Sequence, residues 1–200
     1  METVTRGVSR PIFYFKEPGV GNTDEVVEIV YHRLQEGDIH SVVVASSRGE
    51  TGLRFARRMA PETNLVVVSS HPGYSSPGVW DFNLEILKQL EEMKCKVVKQ
   101  SHALSGLERS ITNKFSGISR VEFLAQALIS LFGPGIKVAI ECTLMAADSG
   151  AIPIEKTIAV GGTGAKGAGA DGAIVVWPAH VNNFFDFRVL EILAKPFRKD

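Results

Sequence analysis

The segment that decides the fold is residues 41–59, SVVVASSRGETGLRFARRM. Its apolar start, Ser41–Ala45, predicts a buried strand, a polar turn follows at residues 46–49, and a helix is predicted from Glu50. A strand that enters a helix through Ser and Gly leaves free backbone N–H groups at the helix start. Together with the helix dipole, these groups favour an anion. Arg48 places guanidinium donors beside them.

A second interpretation of the same turn needs no ligand. Ser47 and Glu50 have the spacing of a capping box, in which the two side chains satisfy the helix N-terminus reciprocally. Ser105 and Glu108 repeat this spacing later in the chain. From the turn alone, an anion site and a plain helix cap both remain open.

The first hundred residues alternate between strand and helix patterns. Short connections between such repeats predict a parallel α/β sheet, with a ligand crevice outside the carboxyl ends of the strands. The predicted strands are residues 11–15, 41–45, 65–69 and 95–99. The first predicted helix is capped by Asn22 or Thr23, has apolar positions from Val26 to Leu34 and is ended by Gly37; the next two are residues 50–59 and 83–94.

The second half begins with helices and ends with strands. Helices are predicted at residues 107–115, 120–132 and 136–149; in the last of these Lys137, Glu141 and Asp148 share one helical face. Strands are predicted at residues 157–160 and 173–177, and residues 184–195 are interpreted as a further strand or as a strand with irregular ends. Together these add a hairpin-like pairing to the sheet. No repeat or linker divides the chain, so residues 1–200 are interpreted as one domain.

Composition narrows the possible functions. The net charge is zero, with no basic run, which argues against nucleic acid as a partner. Cys95 and Cys142 lack metal-type spacing and are typical of a reducing compartment. The N-terminus shows no signal-peptide pattern, and no run reaches the roughly 18 apolar residues of a membrane span. We therefore expect a soluble, cytoplasmic protein with no membrane partner.

Residues 161–172 form a glycine-rich stretch, GGTGAKGAGADG, that contains G-x-G-x-x-G. The dinucleotide motif should open a helix, but a strand-like run follows here, and the Gly-Lys-Ser/Thr of a P-loop is missing. We therefore reject both nucleotide motifs. What remains is a loop with exposed backbone donors, Thr163, Lys166 and Asp171, which fits either a phosphate nest or a plain β-turn.

Other chemistry-bearing residues give weaker signals. His71 follows the third strand, on the ligand side of a parallel sheet. The remaining histidines are widely spaced and predict no metal site. The carboxylates Glu50, Glu108 and Asp171 are candidate acids or bases, but the sequence does not bring any two of them together. No catalytic residue is predicted.

Residues 41–70 resemble the C-terminal α/β domain of pyruvate kinase, in which a similar turn holds a phosphate of an effector. Nearly the whole chain, including HALSGLERSITNKF, MAADSGAIP and NNFFDFRVLEILAKPF, resembles small stand-alone archaeal and bacterial proteins of that fold. The resemblance implies a three-layer α/β/α sandwich with a mostly parallel sheet and bound flavin mononucleotide (FMN). The catalytic barrel of pyruvate kinase is missing, so no kinase activity is implied. By position, the phosphate site transfers to Ser46, Ser47, Arg48, Gly49 and Thr51.

We expect the loop after the fifth parallel strand to lie at the same end of the sheet and to allow close approach of the ligand through Gly161, Gly162, Thr163 and Gly164. The loop of residues 71–80, beginning at His71, would wall the ring. The leading hypothesis is a protein that binds a phosphorylated small molecule, FMN above all, with a flavin-dependent oxidoreductase role possible.

Two alternatives to this hypothesis remain. One is a sensing module for a sugar phosphate or a nucleotide, without chemistry. The other is a purely structural oligomer. Phe184, Phe185 and Phe187 allow self-association into a homo-oligomer, although packing in the core explains them equally well.

Overall fold

A computed structural model describes residues 7–163 and 169–197 of the chain. Its strands are β1 (Phe13–Phe15), β2 (Ser41–Ala45), β3 (Asn64–Ser70), β4 (Lys96–Gln100), β5 (Thr157–Gly161), β6 (Gly172–Trp177) and β7 (Arg188–Pro196). Its α-helices are α1 (Thr23–Leu34), α2 (Glu50–Met59), α3 (Leu84–Glu92), α4 (Gly106–Phe115), α5 (Arg120–Phe132) and α6 (Pro134–Asp148). The fold is α/β, as predicted.

The strands form one seven-stranded sheet in the order β1-β7-β6-β5-β2-β3-β4. β2 pairs in parallel with both β3 and β5, and β4 continues the parallel set. β6 runs antiparallel to its neighbours β5 and β7, so the predicted hairpin-like addition is confirmed. The sheet is therefore mostly parallel, with one reversed strand.

Both faces of the sheet are covered by helices, which explains the continuous β-branched runs in its central strands. Val42 and Val44 of β2 face the core that contains side chains of α1, α2 and α3. Val43 points the opposite way, into a core formed with α6. α5 packs on α6 through a third cluster. The result is three layers, with helices on either side of the sheet.

Most predicted elements lie within two residues of the observed ones, and α2 matches fully. The first strand is shorter than predicted, since pairing with β7 begins only at Phe13. The prediction of a strand over residues 184–195 was wrong at its start. There the 3-10 segment Val181–Asp186 precedes β7, because Phe184 and Phe187 pack against the core beside α5 instead of joining the sheet.

The chain changes direction across the sheet between β2 and β5. It leaves β2 for α2 on one face, whereas it reaches β5 from α6 on the other face. Adjacent parallel strands whose helices lie on opposite faces leave a crevice outside their carboxyl ends, where α/β proteins bind ligands. The turn after β2 and the glycine-rich stretch after β5 lie at this same end, as predicted.

Three glycines let α6 approach the sheet at its carboxyl end. A Cβ on Gly161 would overlap the carbonyl oxygen of Gly135 and lie 2.7 Å from the backbone nitrogen of Ala139. A Cβ on Gly172 would lie 3.1 Å from the carbonyl carbon of Gly135. The backbone of α6 therefore rests directly on the ends of β5 and β6.

Among the described residues, no single helix is long and apolar enough to cross a membrane. Only α4 and α5 taken together, bent by 108°, have the length and apolar composition of a membrane span.

The close contact between α6 and β5 predicts the effect of adding one methyl group at Gly161. Gly161→Ala should destabilise the protein by about 3 kcal/mol, because the new Cβ meets backbone atoms that no side-chain rotation can move. Gly21→Ala is the control, since a Cβ there meets nothing within 4 Å and the φ angle is not positive. Urea unfolding of the three proteins measures the difference. Equal midpoints for Gly161→Ala and Gly21→Ala would contradict the packing described.

Candidate functional site

The turn after β2 leads into α2 through an N-cap residue that has no side chain. The N-cap residue is Gly49, whose φ angle of 104° is in the left-handed region that favours glycine. The N-cap residue makes no side-chain hydrogen bond to the helix, so the capping box of Ser47 and Glu50 was a wrong interpretation. The chain turns at Gly49, one residue before the helix, and this places Ser47 outside the capping position. Ser105 likewise makes no cap for α4.

The absence of a cap leaves donors at the helix start. Ser46 Oγ accepts a hydrogen bond from the backbone N–H of Gly52 at 3.2 Å, and the N–H of Leu53 donates to the Gly49 carbonyl. Within the described residues, the N–H groups of Glu50 and Thr51 have no hydrogen-bond partner. The helix dipole makes this end attractive to an anion.

Arg48 adds an uncommitted positive charge beside these donors. Its side chain is exposed and forms no ion pair or hydrogen bond with any described residue. Of the three arginines of α2, Arg54 and Arg58 are paired with Asp24 and Glu28. The third, Arg57, is hydrogen-bonded to Gln89. Arg48 is therefore the guanidinium of this region that is free to meet a ligand.

A cavity of about 600 Å³ opens beside this turn at the carboxyl end of the sheet. We refer to it as the carboxyl-end cavity. Its wall combines the β2–α2 turn, the end of β3, one side of α6 and, after β5, Gly162 and Gly169. The lining residues are Ala45, Ser46, Ser47, Arg48, Glu50, Thr51, Val68, Ser69, Ser70, Tyr74, His102, Val138, Glu141, Cys142, Met145, Gly162 and Gly169.

The structure brings half of the predicted site residues to this cavity. The wall includes Ser46, Ser47, Arg48, Thr51 and Gly162. The remaining predicted residues have other positions, and Gly164 lies outside the described residues.

Gly49 turns the chain and packs against Phe82 and Ile86. Gly161 packs against the backbone of α6 and does not line the cavity. The hydroxyl of Thr163 is bonded to the carboxylate of Asp171. The absence of a Cβ at Gly161 is thus explained by packing of the protein itself.

A second cavity, of about 720 Å³, adjoins the first and shares Tyr74 and His102 with it. His71 lines this second cavity, together with Arg109, Ser110, Asn113 and Lys114 of α4 among others. The rings of His71, Tyr74 and His102 are packed together with centroids 5.0–6.1 Å apart. Nδ1 of His71 is buried without a hydrogen-bond partner among the described residues.

The wall formed by α6 carries a buried charge. Glu141 is 2% exposed, accepts a hydrogen bond from the backbone N–H of Leu104 at 2.8 Å and pairs with Lys137 Nζ at 2.6 Å. Burial lowers the pKa of His102, and the nearby negative charge of Glu141 opposes that shift. Burial in the cavity wall therefore favours the neutral form of the His102 imidazole.

Asp171 is the other buried carboxylate of this region. Its Oδ2 accepts hydrogen bonds from the backbone N–H of Gly19 at 3.0 Å and from the hydroxyl of Thr163. Its Oδ1 has no partner among the described residues. Burial raises the pKa of Asp171, although these two donors act in the opposite direction. The side chain connects the segment before α1 to the strand β6.

Sequence reasoning missed His102 and Glu141, whereas Tyr74 belongs to the loop of residues 71–80 that was predicted to wall the ligand. One signal for His102 was available, because β3 and β4 pair in parallel with Ser70 opposite Gln100. His71 and His102, one and two residues beyond that pair, must therefore lie close together. No comparable pattern pointed to Glu141, which comes to the site only through the packing of α6.

The remaining chemistry of the site is limited. Among the described residues, no group of three or more His, Cys, Asp or Glu side chains is arranged to hold a metal ion. Cys142 lines the cavity, but burial raises the pKa of its thiol far above neutrality. A protonated thiol is a poor nucleophile. No known protein-family model matches the chain.

The raised pKa of Asp171 predicts that the stability of the folded protein decreases as the pH rises. Because the pKa of Asp171 is higher in the folded than in the unfolded chain, the protonated side chain favours the folded state at low pH. This contribution to stability is lost as the pH rises from about 4, the usual pKa of an unfolded Asp, through the higher folded pKa. Asp171→Asn keeps a carbonyl acceptor for Gly19 and Thr163 without the charge. Its melting temperature should equal that of the wild type at pH 3 and exceed it at pH 7.

Thermal melts of both proteins at intervals between these pH values test this expectation. Asp186→Asn, at an exposed position, is the matched control and should show no such trend. A melting-temperature difference for Asp171→Asn that stays constant with pH would show that the buried carboxylate carries no raised pKa.

Proposed function

We propose that this protein binds a phosphorylated small molecule, FMN above all, in the carboxyl-end cavity, with the phosphate at the N-terminus of α2. One observation carries the proposal. The N–H groups of Glu50 and Thr51 have no partner among the described residues, and they lie beside an unpaired Arg48 in the wall of a cavity.

The residues around α2 fit a phosphate group. A phosphate needs several donors and a compensating positive charge, and helix N-termini supply the first through backbone N–H groups. The hydroxyls of Ser47 and Thr51 line the same wall and add two donors. Arg48 neutralises charge through a planar fork of donors.

The rest of the cavity fits the larger part of such a ligand. A volume of about 600 Å³ is within the usual range of about 300–1,000 Å³ for small-molecule sites. Val68, Val138 and Met145 supply apolar wall, and Tyr74 supplies an aromatic face. Gly162 supplies backbone atoms to the wall, and its missing Cβ is explained by close packing against Gly169. The resemblance of the sequence to the pyruvate kinase C-terminal domain and its stand-alone relatives also favours FMN.

Bound flavin would supply redox chemistry that the protein side chains lack. The chain's own residues would bind the flavin, orient it and exclude water from the cavity. His102 contributes an imidazole to the cavity wall. A cytoplasmic location accords with the two unpaired, buried cysteines.

The test compares FMN with riboflavin, which lacks only the phosphate. In a fluorescence titration the wild-type protein should bind FMN at least tenfold more tightly, because charge-assisted hydrogen bonds contribute about 1.5–3 kcal/mol each. The variant Ser47→Ala, Thr51→Ala, Arg48→Gln should lose most of this preference. Its affinity for riboflavin should change little, since the ring contacts remain.

The control variant Ser9→Ala, Thr63→Ala removes two hydroxyls away from the cavity and should keep the preference for FMN. Equal affinity of the wild type for FMN and riboflavin would contradict the phosphate position. Failure to bind either flavin, with a raised melting temperature in the presence of a sugar phosphate, would keep the phosphate site and overturn the choice of FMN.

A further inference from the structure

Helices α4 and α5 carry an unusually apolar exposed surface. The connection between them is only four residues long, and the two helices are bent by 108° relative to each other. We call this surface the α4–α5 face. Its exposed large apolar side chains are Leu107, Ile111, Phe115, Ile118, Phe123, Leu131 and Phe132.

Packing within a single chain does not account for the stability of α4. None of its ten residues is buried. Leu107, Ile111 and Phe115 recur at every fourth position and form one stripe, and Leu107 and Phe115 are 77% and 71% exposed. Isolated helices of this length are unstable in water, and proteins stabilise them by packing an apolar stripe. The stripe of α4 therefore requires a covering surface.

α5 shows the same feature over thirteen residues. One side packs on α6 through Leu124 and Leu128, yet Ala125 is its only buried residue. Phe123, which is 66% exposed, and Leu131 share another side. A helix that is apolar on several sides is normally buried on several sides. Phe185, in the neighbouring segment, is also exposed, whereas Phe184 and Phe187 are partly buried in the core beside α5.

We infer that a second copy of this chain covers the α4–α5 face and that the protein is a symmetric homodimer. Charge favours protein over membrane as the occupant. The two helices carry Arg109, Lys114 and Arg120 but also Glu108 and Glu122, and Arg109 is paired with Glu122. Helices that bind anionic lipid surfaces carry a clear excess of Lys and Arg. Mixed charges around an apolar centre are typical of protein interfaces.

The size of the face fits a stable dimer. Seven large apolar side chains, each burying on the order of 100 Å², would cover about 700 Å² on each subunit, close to the ~800 Å² of a standard interface. A two-fold axis pairs the same patch from both subunits, so no separate complementary surface is needed. The zero net charge of the chain adds no long-range repulsion.

Dimer formation has a consequence for the second cavity. Another side of α4 contributes Arg109, Ser110 and Asn113 to the lining of that cavity. Because α4 has little packing of its own, a partner on its apolar stripe holds this wall in place. The inference does not depend on the identity of the ligand.

The test is the molar mass in solution, by size-exclusion chromatography with light scattering. The wild-type protein should have twice the chain mass of 21.7 kDa, and Phe115→Ser, Phe123→Ser should have the mass of one chain. Phe197→Ser is the matched control, because Phe197 is 70% exposed but lies beyond β7; this variant should remain a dimer. A monomeric wild type, or a dimer that survives the double substitution, would overturn the proposal.

Two further measurements distinguish a second copy of the chain from other partners of the α4–α5 face. Hydrogen exchange at α4 should become faster on dilution of the wild type and should be fast at every concentration in Phe115→Ser, Phe123→Ser. Flotation with phosphatidylcholine vesicles containing phosphatidylserine should leave the wild type unbound. Vesicle binding that the double substitution abolishes, without a dimer in solution, would assign the face to a membrane surface and overturn the proposal.

Discussion

The close contact between α6 and the ends of β5 and β6 is the constraint on which the rest of the carboxyl end depends. Gly135, Gly161 and Gly172 meet there with no side chain between them. The contact sets the distance of α6 from the sheet, and α6 supplies a complete wall of the carboxyl-end cavity, including Glu141. A larger residue at Gly161 would push this wall outward, so glycine at this position serves architecture first and ligand binding only indirectly.

The site itself follows from the change of direction between β2 and β5. The turn after β2 must reach α2 on one face while α6 covers the other, and the space between them is the carboxyl-end cavity. Gly49 then ends the turn in a left-handed conformation that leaves the first N–H groups of α2 without a cap. Positive charge from Arg48 and from the helix dipole lies there, whereas the buried carboxylate of Glu141 belongs to the wall formed by α6. This polarity suits a ligand with an anionic end.

Local sequence predicts what local physics determines. The β-branched runs of β2 and β3 and the stripe of α2 predict their elements, because burial on two faces and helical periodicity leave a direct pattern. The capping interpretation of Ser47 was wrong because one left-handed residue shifts the helix start. Glu141 could not be predicted as part of the site, since it lies about ninety residues from the turn and arrives through packing alone.

The central claim is that a phosphate binds at the N-terminus of α2, and a crystal structure of the protein soaked with FMN tests it most directly. The account predicts electron density for the phosphate within hydrogen-bond distance of the backbone nitrogens of Glu50 and Thr51, with Arg48 turned towards it and the ring inside the cavity. Phosphate density at another place, such as the second cavity beside His71, or an unchanged helix start with no ligand, would contradict the account.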